Sequence, residues 1–167
     1  MATAAFQLRL GLAMLGMMMF SSNALAQTAP ACPSTLQQSA NSAEVCIVQD
    51  FPPTLVNPCN NYELVLVTGS IAVDVLRSTQ TNGFKVVFKT TSAGTGVGAT
   101  GNRYAFSDTQ NTTFSTTAAI DATITHNNHI VTQLPQNNFF IQALIHSTIN
   151  PFGVPTVVVD SFSSGCQ

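Results

Sequence analysis

The chain is short of charge. It has five Lys and Arg and seven Asp and Glu in 167 residues, with no run of either sign. Binding nucleic acid requires a basic stripe that releases counterions from phosphates, and a polybasic membrane contact requires a similar cluster. Neither is present, so both classes are excluded. Tryptophan is absent and tyrosine occurs twice, which removes the aromatic platform on which sugars or exposed bases stack. No Cys-x-x-Cys pair suggests a structural zinc site, and no Gly-x-Ser-x-Gly elbow suggests a serine hydrolase. The carboxylates Glu44, Asp50, Glu63, Asp74, Asp108, Asp121 and Asp160 lie singly along the chain, mostly on the polar phase of strands. Acid–base chemistry needs two such groups, or a nucleophile beside a base, in one cleft. The reading is therefore not an enzyme and no cofactor. No segment carries a 3.6-residue apolar stripe, so helices are not expected in the main body.

The first 26 residues stand apart. Arg9 is their only charge, Leu10 to Phe20 is an apolar run, and Ala24-Leu25-Ala26 precedes Gln27. A basic start, a short apolar stretch and small residues at the cut are the marks of a secretory signal peptide. The run is about half the ~20 apolar residues of a spanning helix, so no membrane anchor is expected. Residues 27–167 then form a secreted or periplasmic protein with four basic and seven acidic groups, a net charge of about −3. That length suits one domain able to bury a core.

Cys32, Cys46, Cys59 and Cys166 are an even set in an exported chain and imply two disulfides, with three possible pairings. Cys32 with Cys46 and Cys59 with Cys166 is the favoured one. The long loop would then contribute about 4–5 kcal/mol and the short one about 3.

Residues 27–58 hold five prolines (30, 33, 52, 53 and 58) and little alternation, and read as an N-terminal extension. Within it a short helix is expected over Ser34 to Ser42 and a short strand over Glu44 to Val48. From residue 59 the period is two. Strands are expected at Tyr62 to Leu76 with a bulge at Gly69, around Phe84 to Phe88, Arg103 to Ser107, Ile120 to Thr125, Ile130 to Leu134, Phe139 to Ile149 and Pro155 to Phe162. Asn82-Gly83 marks a hairpin, and Gly94 to Gly101 reads as a loop. The fold class is all-β: an antiparallel β-sandwich or a closed up-and-down β-barrel of about seven to eight strands.

Asn57-Pro58-Cys59-Asn60 with Glu63, Val67-Thr68-Gly69, the stretch Gly96 to Tyr104, and Phe162-Ser163-Ser164-Gly165-Cys166 together resemble a group of uncharacterised secreted bacterial β-proteins. These have an Asn-Pro-Cys-Asn-Gly-Glu-like start and a C-terminal Cys. The resemblance spans residues 57–167 and departs at Asn61-Tyr62, where a Gly is expected before the Glu. It implies the β fold and the Cys59–Cys166 pair, and no activity.

Two motifs invite chemistry. Gly96-Val97-Gly98-Ala99-Thr100-Gly101 fits a dinucleotide fingerprint, with Asp121 about 20 residues on, but the fingerprint needs a following helix and a strand pattern follows instead. His126-Asn127-Asn128-His129 is the other. A type I′ turn at Asn127-Asn128 would set the histidines opposite each other, about 5 Å apart, with His146 as a third metal ligand. Asn111-Thr112-Thr113 fits a glycosylation acceptor and reads as a turn. The functional expectation is a binding or surface-interaction domain, its partner an unknown protein met by the Thr- and Asn-rich face. The alternatives are a small barrel carrying an apolar ligand and, third, a metal-binding protein using His126 and His129.

Overall fold

The computed structural model describes residues 28–132 and 137–166; the expected leader and the end of the expected Ile130–Leu134 strand lie outside them. Among the described residues nine strands are formed: β1 (Gln38–Ser39), β2 (Ser42–Asp50), β3 (Thr54–Asn57), β4 (Glu63–Gln80), β5 (Gly83–Gly98), β6 (Arg103–Thr116), β7 (Ile120–Thr132), β8 (Phe139–Ile149) and β9 (Pro155–Cys166). All pairings are antiparallel, in the order β1-β2-β4-β5-β6-β7-β8-β9, and β3 pairs with β4 below β2.

Local chemistry explains most of these elements. The β4–β5 hairpin turns at Thr81-Asn82, with Gln80 opposite Gly83. Gly83 has φ 123°, and a Cβ there would run into the Thr116 carbonyl, so the turn needs a glycine. Gly94 and Gly96 are not loop residues. They face inward on β5, where a side chain would strike the Phe106 ring and Val65. The expected loop from Gly94 to Gly101 is thus strand as far as Gly98.

Other expectations are corrected. Residues 34–42 form no helix: Gln38–Ser39 turn directly into β2. The segment read as an extension supplies three strands to the sheet, because β2 and β3 are both laddered along β4. The register runs unbroken through Gly69 opposite Gly94, so there is no bulge at Gly69. The irregularity lies instead between β8 and β9, where Leu144 and Ile145 face Ser161 and Val159 and Asp160 is the extra residue.

The sheet is curled. Among the described residues β6 and β7 share only the pairs Tyr104↔Thr132 and Ala105↔Val131, then part. β7–β9 folds over so that β9 lies against β2, β3 and β4. Among the described residues no ladder joins the ends, which makes the sheet an open half-barrel of nine strands rather than a clearly closed barrel or sandwich. Its hollow is filled by the inward phases of the strands: Val65, Ile71, Val73 and Val75 of β4, Phe88 of β5, Phe106 of β6 and Phe139, Ile141 and Ile145 of β8. Each fully buried side chain of this size contributes about 1.5–3 kcal/mol. Phe51, between β2 and β3, meets Phe106 edge-on at 5.1 Å and Phe162 at 5.0 Å, which pins β9 to the opposite wall. Both disulfides form as favoured, Cys32–Cys46 with Cα atoms 5.7 Å apart and Cys59–Cys166 at 5.3 Å.

Candidate functional site

Period two sends alternate residues of β4 and β5 to the outer face. Ala72, Asp74, Lys89 and Thr91 emerge together there, with Asp74 directly across from Lys89 and from Cys46 of β2. Cys46 bonds Cys32 and so holds residues 28–33 over this patch. Pro30 and Pro33 favour an extended chain in that strap. Between strap and sheet lies a cavity of about 440 Å³, with Ala29, Pro30 and Ala72 among its walls and Thr28, Asp74, Lys89 and Thr91 as its polar side chains.

The electrostatics of this cavity are unusual. Glu44, on the same outer phase of β2, is buried, and its Oε2 accepts the Gln37 N–H at 2.6 Å. Burial first, then the charge of Glu44 and a hydrogen bond with it, push the Asp74 carboxyl up to about 6, while Lys89 acts in the opposite sense. Asp74 Oδ1 is buried and has no hydrogen-bond partner. No ion pair within 4 Å joins Asp74 to Lys89 among the described residues. The cavity is therefore lined by a carboxyl with one buried oxygen lacking a donor and by an ammonium not paired with it.

A second polar cluster lies inside the half-barrel, where β6 and β7 part. His126 is fully buried, with Nδ1 2.7 Å from Thr90 Oγ1 and Nε2 3.1 Å from Asn128 Oδ1. Ser92 Oγ donates to Asn128 Oδ1 and lies 3.4 Å from Nε2, and Asp108 Oδ2 is 3.8 Å from the same nitrogen. Burial lowers the His126 pKa, partly opposed by Asn128 and Asp108. A Ser–His–Asp relay needs hydroxyl and carboxylate on opposite ring nitrogens. Ser92 and Asp108 lie on the same Nε2 side, and although the Thr90 hydroxyl at Nδ1 stands opposite Asp108, both hydroxyls are buried, so neither is presented to a substrate.

A third cluster joins the disulfide end. Asn61 and Tyr62 have φ of 46° and 57°, and Glu63 N–H donates to Asn60 O at 2.8 Å, the form of a type I′ turn. The turn delivers the Glu63 carboxylate to Asn60 Nδ2 (2.7 Å), Thr100 N (3.0 Å), the Thr100 hydroxyl and Tyr104 OH (2.6 Å). Burial alone would raise this carboxyl, but the Thr100, Tyr104 and Asn60 bonds prevail and hold it near 2. Asn57 extends the network, donating to Asn137 O at 2.7 Å while its Oδ1 accepts the Cys59 N–H at 2.9 Å. Every strong acceptor here is engaged, which suits a structural clamp.

Residues 126–129 are continuous strand in β7, and the Asn127-Asn128 turn does not form. A spacing of three in a strand sends His126 inward and His129 outward, so the structure separates the two expected metal ligands. His146 faces outward and meets Asp121 at 3.1 Å. Among the described residues no group of three His, Cys, Asp or Glu is placed to hold a metal ion. Asn111-Thr112-Thr113 lies within β6, not in a turn. Glu44 beside Asp74 escaped the sequence reading because only the β2–β4 register brings them together. The one available signal was the Glu44 carboxylate on the same phase as Cys46 in β2. Set against protein-family models, curated proteins and solved structures, the chain matches none.

Proposed function

We propose that the protein is an exported, disulfide-stabilised β domain that works by binding, and that the strap cavity on the outer face of β2, β4 and β5 receives its ligand. The cavity is the observation that carries this reading: about 440 Å³, mostly apolar, with Asp74 and Lys89 converging in it and Asp74 perturbed. A concave apolar pocket with a few convergent polar groups and a shifted titration is where a ligand is first sought. Two disulfides suit an oxidising compartment outside the cytoplasm, in line with the leader read at residues 1–26. Carriage of an apolar ligand would need room in the hollow, and Phe88, Phe139, Ile71 and Ile130 occupy it.

The test is a thermal-shift panel of small polar compounds on the oxidised protein and on Ala72→Leu, which fills the cavity floor. Binding predicts compounds that stabilise the wild type and leave Ala72→Leu unmoved. A panel with no such compound overturns the reading.

A further inference from the structure

We infer that the strap cavity is built for a small zwitterion, an α-amino acid with a short aliphatic side chain. The inference rests on the binding reading above and names the ligand class for the same site.

Three features select this chemistry. The first is a divided ion pair. Asp74 and Lys89 are directly opposite in the β4–β5 register, where Cβ atoms are about 4.5–5.5 Å apart. Side chains of that reach normally close on each other, yet no ion pair within 4 Å forms between them. A ligand with an ammonium and a carboxylate on adjacent carbons can engage both heads at once, the ammonium at Asp74 and the carboxylate at Lys89.

The second is the unpartnered oxygen. Asp74 Oδ1 is buried without a donor, and a buried acceptor left unmade costs about 1–3 kcal/mol. Asp74 lines the cavity, and a ligand N–H that turns its carboxyl toward the cavity supplies the missing donor. Glu44 beside Asp74 adds a second carboxylate, so the three protein charges sum to −1 when all are ionised. The ammonium end is therefore the anchor and the carboxylate end the discriminator.

The third is the wall. Ala29, Pro30, Ala31, Pro33 and Ala72 surround the charged pair with short apolar surface. Such walls suit a small aliphatic side chain and offer nothing to a large polar one. Thr91 stands beside Lys89 on the same phase of β5 as a neutral donor for the carboxylate.

Calorimetric titration of the oxidised protein with L-leucine, n-butylamine and butyrate tests the assignment. Leucine is expected to bind saturably, butylamine at least tenfold more weakly, and butyrate more weakly again. Asp74→Asn is expected to weaken leucine at least tenfold. Lys89→Met should weaken leucine at least tenfold while affecting butylamine far less, a split that a merely misfolded variant would not give. Leucine binding no better than butylamine, or indifferent to both substitutions, overturns the proposal. If none of the three probes binds while other compounds stabilise the wild type and not Ala72→Leu, the zwitterion assignment falls and the binding site stands. If neither experiment finds a ligand, both fall.

Discussion

Glu63 offers the sharpest physical test of how the fold is held. It is buried at the disulfide end, no ion pair reaches it among the described residues, and its charge is stabilised by donors from Asn60, Thr100 and Tyr104, with Asn102 at 3.4 Å. Its carboxyl is lowered from 4.5 to about 2. A drop of that size corresponds to about 3 kcal/mol of preference for the ionised native form. Water reaching the open side of the corner reduces this to about 2 kcal/mol. Because the native pKa is below the unfolded one, the contribution is complete above pH 4.5 and fades as pH falls toward 2. Glu63→Gln keeps the shape and removes the charge. Urea unfolding at pH 7 should show the variant less stable by about 2 kcal/mol, with unchanged slope, and the gap should narrow steadily from pH 5 to pH 2. An equal midpoint at pH 7, or a gap that does not change over that range, would refute the account.

Other consequences are as concrete. Tyr62 sits at φ 57° and is well exposed, so Tyr62→Gly removes a left-handed penalty of about 1–2 kcal/mol for little lost packing. Its denaturation midpoint should rise. His126, faced by Thr90 and Ser92 of β5, Asp108 of β6 and Asn128 of β7, has a native pKa below its unfolded value of 6.5. Stability should fall as pH drops below 6.5 and level off under the native pKa; a urea series from pH 7 to 4 should show that slope in the wild type and not in His126→Gln. Breaking Cys59–Cys166 by a double Ser substitution opens a loop of 107 residues, a loss of about 4.7 kcal/mol by chain entropy, whereas breaking Cys32–Cys46 should cost about 3. Equal losses in chemical denaturation would contradict the loop argument.

The strand set was legible wherever one phase was apolar and the other polar. Phe139 to Ile149 is bounded in the structure as the pattern suggests, because Phe139, Ile141, Ala143 and Ile145 form an unbroken inward row. Ile120, Ile124 and Ile130 carried the same message for β7, but His126 and Asn128 interrupt the row with polar side chains. Asn127-Asn128 then imitates a turn. The interruption is real chemistry: Thr90 hydrogen-bonds His126, Ser92 donates to Asn128 and Asp108 lies 3.8 Å from the His126 ring, and only tertiary structure reveals these neighbours from β5 and β6. Gly94 and Gly96 misled for a related reason, since their smallness serves the Phe106 ring and Val65 rather than a bend. The strap cavity was not legible at all. Asp74, Lys89 and Cys46 are far apart in sequence, and only the ladders of β4 with β2 and β5 set them side by side.

The narrow join between β6 and β7 has a consequence for how the molecule comes apart. β4, β5 and β6 are zipped along nearly their whole length, as are β7, β8 and β9, yet among the described residues the two meanders share two ladder pairs. Cooperative opening units follow such continuous hydrogen-bonded runs. Amides of β7 that bond to β8 should therefore exchange together with β8 and β9, on a timescale distinct from that of β4 and β5. The three residues between Thr116 and Ile120 act as the hinge. Cys59–Cys166 is then less a local staple than a tether across the gap: it fixes the tail of the second unit to the head of the first and limits how far either can open alone.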